Sequence, residues 1–125
     1  MTTLHRIVTG LIIALGILHL GFTPFNYRRF DMDAMWFLGS GLAIILAGFL
    51  NIAVIRGRGR DKLVWALGLI TNLGFALLFG IGLLLLTQPQ VFVGLALFGS
   101  ATICTVLSRS KIGARTTVSR LSTLQ

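Results

Sequence analysis

Residues 34–55 read AMWFLGSGLAIILAGFLNIAVI, twenty-two consecutive positions without a charged side chain. An apolar run of about 18 residues or more is long enough to cross the hydrocarbon core of a bilayer as a helix. The same character recurs on either side, over about 4–23, 63–86 and 89–108. The connections are short and carry helix breakers: Pro24 after the first run, Arg56-Gly57-Arg58-Gly59-Arg60 between the second and third, and Gln88-Pro89-Gln90 before the fourth. None of the runs alternates polar with apolar, as the strands of a membrane barrel do. The pattern predicts an all-α membrane protein: a four-transmembrane-helix bundle over 1–108, followed by a basic, mobile tail over 109–125.

Composition excludes most other classes. The chain has 125 residues, 55% of them hydrophobic and 11% charged, with a mean hydropathy of +0.92. One small domain has too little interior to hide that much apolar surface from water. Disorder is excluded by the same numbers, because disordered chains are poor in apolar residues. The first run has a basic start at Arg6, as a secretory leader does, but Thr23-Pro24-Phe25-Asn26-Tyr27 follows it in place of a small-x-small cleavage site. It is read as a mature helix. Cys104, the single cysteine, lies in an apolar run and is expected to be a buried, inert thiol.

Eleven Lys and Arg stand against three acids, all Asp, for a net charge of +8. A soluble protein with this balance would suggest nucleic acid; here the cations punctuate apolar runs, so no nucleic-acid partner is expected. Arg6, then Arg56, Arg58, Arg60 and Lys62, then Arg109, Lys111, Arg115 and Arg120 all fall on one side of a four-span chain, 9 of the 11 basic residues. Arg28 and Arg29, on the other side, are offset by Asp31 and Asp33. The positive-inside rule then places both termini in the cytoplasm and argues against dual topology. Arg56, Arg58, Arg60 and Lys62 are candidate contacts for anionic lipid, each worth about 1 kcal/mol near a negative leaflet. The first loop is rich in rings: Phe22, Phe25, Tyr27, Phe30, Trp36 and Phe37. An aromatic belt at the outer interface is the routine reading, and a lid over a substrate the sharper one.

Placed at 100° per residue, each run shows one weakly polar face of small residues. These are His5, Thr9, Gly16, His19 and Thr23 in the first, and Trp36, Ser40, Ala47 and Asn51 in the second, with Gly39, Ala43 and Ala47 beside them. The third has Gly68, Asn72, Phe75, Phe79 and Gly82, and the fourth Gln90, Gly94, Ala101, Thr105 and Ser108. Thr9, Asn51, Asn72 and Thr105 all lie in the cytoplasmic half and are expected to form an intramembrane polar cluster. Structural hydrogen bonding between helices is favoured over an ion or substrate site, because a neutral amide cluster lacks the charge that transport coupling requires.

His19 is the side chain with most chemical scope: general base, quinone or haem contact, proton-sensitive switch, or merely an interfacial imidazole bonded to a carbonyl or to Ser40. His19, Trp36, Ser40, Arg28 and Asp31 form the candidate site for a hydrophobic ligand. No cofactor, metal or catalytic residue is expected. His5 and His19 are about 21 Å apart along one helix and cannot both ligate one haem, and two distant His with one Cys fall short of a zinc set. No P-loop or hydrolase motif is present.

Two resemblances bear on function. In length and helix count the chain resembles the small multidrug resistance exporters. Those carry a membrane-embedded Glu in the first helix, and this chain has no Glu at all, so the likeness is one of architecture and the exporter function is rejected. Leu18-His19, Thr23-Pro24, the run from Trp36 to Ala43, Gly48-Phe49-Leu50-Asn51, Asn72 and Pro89-Gln90-Val91 resemble small four-helix bacterial inner-membrane proteins of no assigned activity, over about residues 5–107. That resemblance implies a bacterial inner membrane and directs attention to His19, Trp36, Asn51 and Asn72. The leading expectation is a non-enzymatic, self-associating or accessory membrane subunit, alone or with a membrane-protein partner. The alternative is a binder, carrier or enzyme for a small hydrophobic molecule (lipid, quinone or sterol-like) at an outer-leaflet site around His19.

Overall fold

A computed structural model of the chain describes the backbone of residues 2–122 and the side chains of residues 2–109. It contains four helices: α1 Thr2–Asn26, α2 Met32–Gly57, α3 Lys62–Leu85 and α4 Pro89–Ser122. The first three, and α4 over Pro89–Arg109, are each long and apolar enough to cross a membrane.

The helix ends follow from local chemistry. Asp31 caps α2 by accepting from the Ala34 amide at 2.9 Å, and Asp61 caps α3 by accepting from the Leu63 and Val64 amides at 2.9 and 3.1 Å. Asp33 lies in the first turn of α2, so all three acids sit where a helix N-terminus favours negative charge. The α2 C-terminus is closed by Arg58 at φ 50° and Gly59 at φ +69°. Their amides donate back to the Ile55 and Val54 carbonyls at 3.2 and 3.4 Å, the Schellman pattern. A glycine is needed at 59 because it packs on Ser108 of α4 as it turns. Pro89 opens α4, where a missing amide costs nothing.

Two boundaries differ from the sequence reading. α1 runs through Pro24 to Asn26, because a proline that close to a helix end forfeits only its own bond, while Tyr27 still donates to the Thr23 carbonyl at 3.0 Å. α4 continues past its apolar part as helix to Ser122. The tail read from residue 109 has a helical backbone as far as Ser122. Its side chains from residue 110, and residues 123–125 altogether, lie outside the described residues.

Each helix packs against its neighbours in sequence, and α4 closes the ring against α1. Inward-facing positions repeat at alternating spacings of four and three. They are 5, 9, 12, 16, 19 and 23 in α1, and 34, 37, 41, 44, 48 and 51 in α2; 65, 68, 72, 75, 79 and 82 follow in α3, and 91, 94, 98, 101, 105 and 108 in α4, all buried or half-buried. This is a seven-residue repeat, and it drifts about 20° per heptad from a straight 100° stripe, which winds helices left-handed about one another. The drift rotates the upper part of α2: Ala34 and Phe37 turn inward, while Trp36, Gly39, Ser40 and Ala43, expected on the inner face, point outward.

The core is small and layered. Val8, Ile12, Ile44, Ala47, Phe98 and Ala101 form its buried centre. Phe98 stacks on Phe75 at 4.6 Å and on Phe79 at 5.8 Å, and Phe79 occupies the space that a side chain at Gly94 would need. Along the α1–α2 seam the backbones approach where Gly16 faces Gly41 and where Gly48 faces Ile13. Outside this core the helices present leucine, isoleucine and phenylalanine outward from end to end, with Leu84 and Leu85 more than four-fifths exposed. Such a surface is stable in hydrocarbon and not in water.

Candidate functional site

Two polar constellations are built into this apolar bundle, one near each end. The first lies at the end carrying the Arg56–Lys62 loop. The Asn51 amide nitrogen donates to the Ala47 carbonyl at 2.9 Å and to Asn72 Oδ1 at 2.7 Å. Asn72 Nδ2 returns a bond to Asn51 Oδ1 at 2.9 Å and donates to Thr105 Oγ1 at 3.2 Å. His5 Nε2 is 3.1 Å from Asn51 Oδ1, and the Thr9 hydroxyl donates to the His5 carbonyl at 2.7 Å. All five residues are buried, Asn51, Asn72 and Thr105 completely.

The bonding pattern orients the groups without ambiguity. The Ala47 carbonyl can only accept, so the Asn51 nitrogen faces it and its oxygen faces His5. His5 Nε2 therefore carries the proton of that bond. The four residues expected to cluster, Thr9, Asn51, Asn72 and Thr105, are brought together, though Thr9 joins through the backbone of His5 rather than through the amides. His5, set on the inner face with Thr9 in the sequence reading, is the member not assigned to the cluster. It shares the heptad register of Thr9, and that register was the available signal. Every buried side-chain nitrogen and oxygen among the described residues has a partner. The arrangement links α1, α2, α3 and α4.

The second constellation lies at the opposite end. His19, half-buried on α1, stacks on Phe37 of α2 with ring centroids 4.0 Å apart and planes inclined by 19°. Its Cβ lies against Gly41, where a side chain would meet it at 3.1 Å, so the close α1–α2 approach sets its position. Beside it is a cavity of about 310 Å³ lined by Leu15, Leu18, His19, Phe22 and Asn26 of α1, Phe37 of α2, Gln88 of the α3–α4 turn and Gln90 in the first turn of α4. The turn reaches the end of α1 because α4 is α1's neighbour in the ring.

Of the ligand-site residues read from sequence, only His19 lines this cavity. Trp36 and Ser40 are on the outer surface of α2; Ser40 donates to its own helix at the Phe37 carbonyl, 2.7 Å away. Heptad drift is the reason: Phe37, one residue on, supplies the aromatic wall assigned to Trp36. Arg28 and Asp31 are exposed in the α1–α2 connection, and Asp31 is engaged as the α2 cap. Neither shapes the mouth. Gln88, Gln90, Asn26 and Phe22 were missed because a helical wheel holds no information on which turn meets which helix.

Arg56, Arg58, Arg60 and Lys62 are all exposed around the α2–α3 turn. Nearby, Arg109 lies over the Trp65 ring at 4.6 Å, and the Trp65 indole donates to the Thr105 carbonyl at 2.8 Å, a half-buried cation–π contact that joins α3 to α4. Cys104 is a buried free thiol. Among the described residues no three His, Cys, Asp or Glu side chains gather where they could hold a metal. Comparison of the chain with protein-family models, with curated proteins and with solved structures yields no match, so the reading of the site rests on its geometry.

Proposed function

We propose that this protein is a multi-pass protein of the bacterial inner membrane that takes a small hydrophobic molecule from the bilayer into the cavity beside His19. One observation carries the reading: the half-buried imidazole within a membrane-length helix borders a cavity with one apolar, aromatic side and one amide-bearing side. Small-molecule sites have this composition, with a few convergent polar groups in an apolar wall, and an ionisable side chain within a span is a functional candidate by default. Native mass spectrometry of the protein released from nanodiscs tests it. The expected result is a reproducible non-lipid or neutral-lipid adduct that disappears in His19→Ala. A spectrum carrying only bulk phospholipid, unchanged by that substitution, rejects it.

Self-association, or service as an accessory subunit, is the second reading. It is favoured by Gly10, Gly39, Gly74 and Gly99, where an added Cβ would meet nothing, since bare glycines let another helix approach closely. The same spectra test it through the mass of the intact species.

Both termini and the Arg56–Lys62 loop belong, in this proposal, on the cytoplasmic side, in contact with anionic lipid. Neutralising Arg56, Arg58, Arg60 and Lys62 together removes the strongest charge asymmetry in the chain. Reporters fused to the N-terminus are then expected to show a mixed orientation in place of a single one. A unique orientation retained after neutralisation would place the determinant elsewhere.

A further inference from the structure

The lining of the cavity narrows the class of molecule it suits. This step rests on the binding reading above. Among the described residues no Lys, Arg, Asp or Glu borders the cavity. With His19 neutral, a phosphate, carboxylate or ammonium head would enter the cavity without a counter-ion, at a cost that polar contacts alone do not offset. The ligand head is therefore uncharged.

The polar groups on offer place hydrogen-bond donors on both sides of the cavity. Gln90 Nε2 donates to Gln88 Oε1, and the amide N–H groups of Gln88 remain available on that side. Asn26 contributes a further amide, and the imidazole of His19 one N–H and one acceptor when neutral. Donors carried by two separate elements, α1 and the α3–α4 turn, match a head with more than one carbonyl oxygen. A single hydroxyl, as on a sterol, would satisfy one side and leave the other unpaired.

Shape and size add a second constraint. The His19 and Phe37 rings form a stacked pair, with Phe22 also on the wall, and aromatic walls favour a flat guest. About 310 Å³ is at the low end for ligand cavities, which run from about 300 to 1,000 Å³. It accommodates one substituted ring and cannot enclose a long hydrocarbon chain. Leu18 and Phe22 both line the cavity and are more than half exposed on the outer surface, so the mouth opens onto the apolar sheath of the bundle. A chain attached to the ring can leave there and remain in hydrocarbon. His19 lies about 10 Å from the end of α1 by helix rise, a depth that suits a head less polar than a phospholipid's.

We infer that the cavity beside His19 binds an uncharged lipid with a flat, carbonyl-bearing ring as its head, the chemistry of a quinone, with its tail left in the bilayer.

The test uses the full chain in phosphatidylcholine nanodiscs, with a short-tailed benzoquinone, a diacylglycerol, a sterol and phosphatidylglycerol as probes, and occupancy read by native mass spectrometry. Saturable binding of one benzoquinone per chain is expected, preferred over each other probe. In His19→Leu and in Gln88→Leu the affinity falls about tenfold, the loss of one well-made hydrogen bond. Gln88 lies on an exposed turn, so its replacement leaves the bundle intact even if a change at His19 disturbs the α1–α2 seam. Ser40→Ala, on the outer face, binds as the parent does. Preference for diacylglycerol or sterol, with the same dependence on His19, overturns the ring-head inference and keeps the cavity as a ligand site. Absence of any saturable, His19-dependent adduct overturns both. Benzoquinone uptake indifferent to both substitutions is partition into lipid and overturns the inference.

Discussion

Replacing Asn51 by leucine lowers the stability of the bundle by about 2–3 kcal/mol, more than an average interhelical hydrogen bond in a membrane protein is worth. Such bonds average about 0.6 kcal/mol, because a chain unfolded within the bilayer finds other partners. Asn51 differs in the number of groups that depend on it. Its nitrogen serves the Ala47 carbonyl and Asn72, and its oxygen serves Asn72 and His5. Leucine fills a similar volume but strands one face of the fully buried Asn72 and the Nε2–H of the buried His5. Each orphaned group costs about 1–3 kcal/mol before relaxation. Reversible unfolding in bicelles measures the loss.

The double variant Asn51→Leu with Asn72→Leu is expected to be less destabilised than the two single effects summed, by about 1–2 kcal/mol, because two reciprocal partners vanish together. Additive single effects would show that the amide pair is not energetically linked. Asn51→Asp is expected to be worse than leucine, since a carboxylate cannot donate to the Ala47 carbonyl and sets an acceptor against another acceptor.

Alanine at Gly16 and alanine at Gly10 are expected to change stability in opposite directions, although both are glycines in the interior of α1. A Cβ at Gly16 would lie 2.6 Å from Ile45 Cγ1, 2.9 Å from the Gly41 carbonyl oxygen and 3.0 Å from the Ile45 amide nitrogen. Two of those atoms are backbone and cannot rotate aside, so α2 must move outward, at a cost of about 1–3 kcal/mol. At Gly10 nothing lies within 4 Å; alanine there removes the flexibility of glycine in a helix and gains about 0.5–1 kcal/mol. Thermal melts of the two variants in one detergent decide the matter, and effects of equal sign would contradict the close α1–α2 seam. Because Gly41 also abuts Cβ of His19 and the carbonyl of Gly16, widening the seam shifts the imidazole against the cavity. Gly16→Ala is thus expected to weaken ligand binding along with stability, whereas Gly10→Ala leaves binding unchanged.

The glycines illustrate what a linear reading can and cannot supply. The 100° wheel already set Gly16, and not Gly10, on the inner face of the first run, but only the neighbour opposite shows that Gly16 has no room for a Cβ. The polar cluster was legible to a greater degree. Asn51, Asn72 and Thr105 stand out against apolar surroundings, and connection order alone brings their depths to the same half of the bundle. His5 was set on the same face as Thr9 but left out of the cluster, because a residue near the start of a span has no assigned partner until the helices are packed. The cavity was legible only at His19. Trp36 and Ser40 looked inward on a straight wheel, and a drift of about 20° per heptad was enough to exchange Trp36 for Phe37.

The amino-acid sequence by itself determined the four apolar helices, their order and the concentration of cations at one end. Each depends on residues adjacent in the chain or on the simple length of an apolar run. The tertiary structure decided which glycines are crowded, that His5 completes the buried network, and that Gln88 and Gln90 face His19 across a cavity. Those depend on the winding of the helices and on α4 closing against α1, where small angular drifts accumulate over five or six turns and distant residues meet.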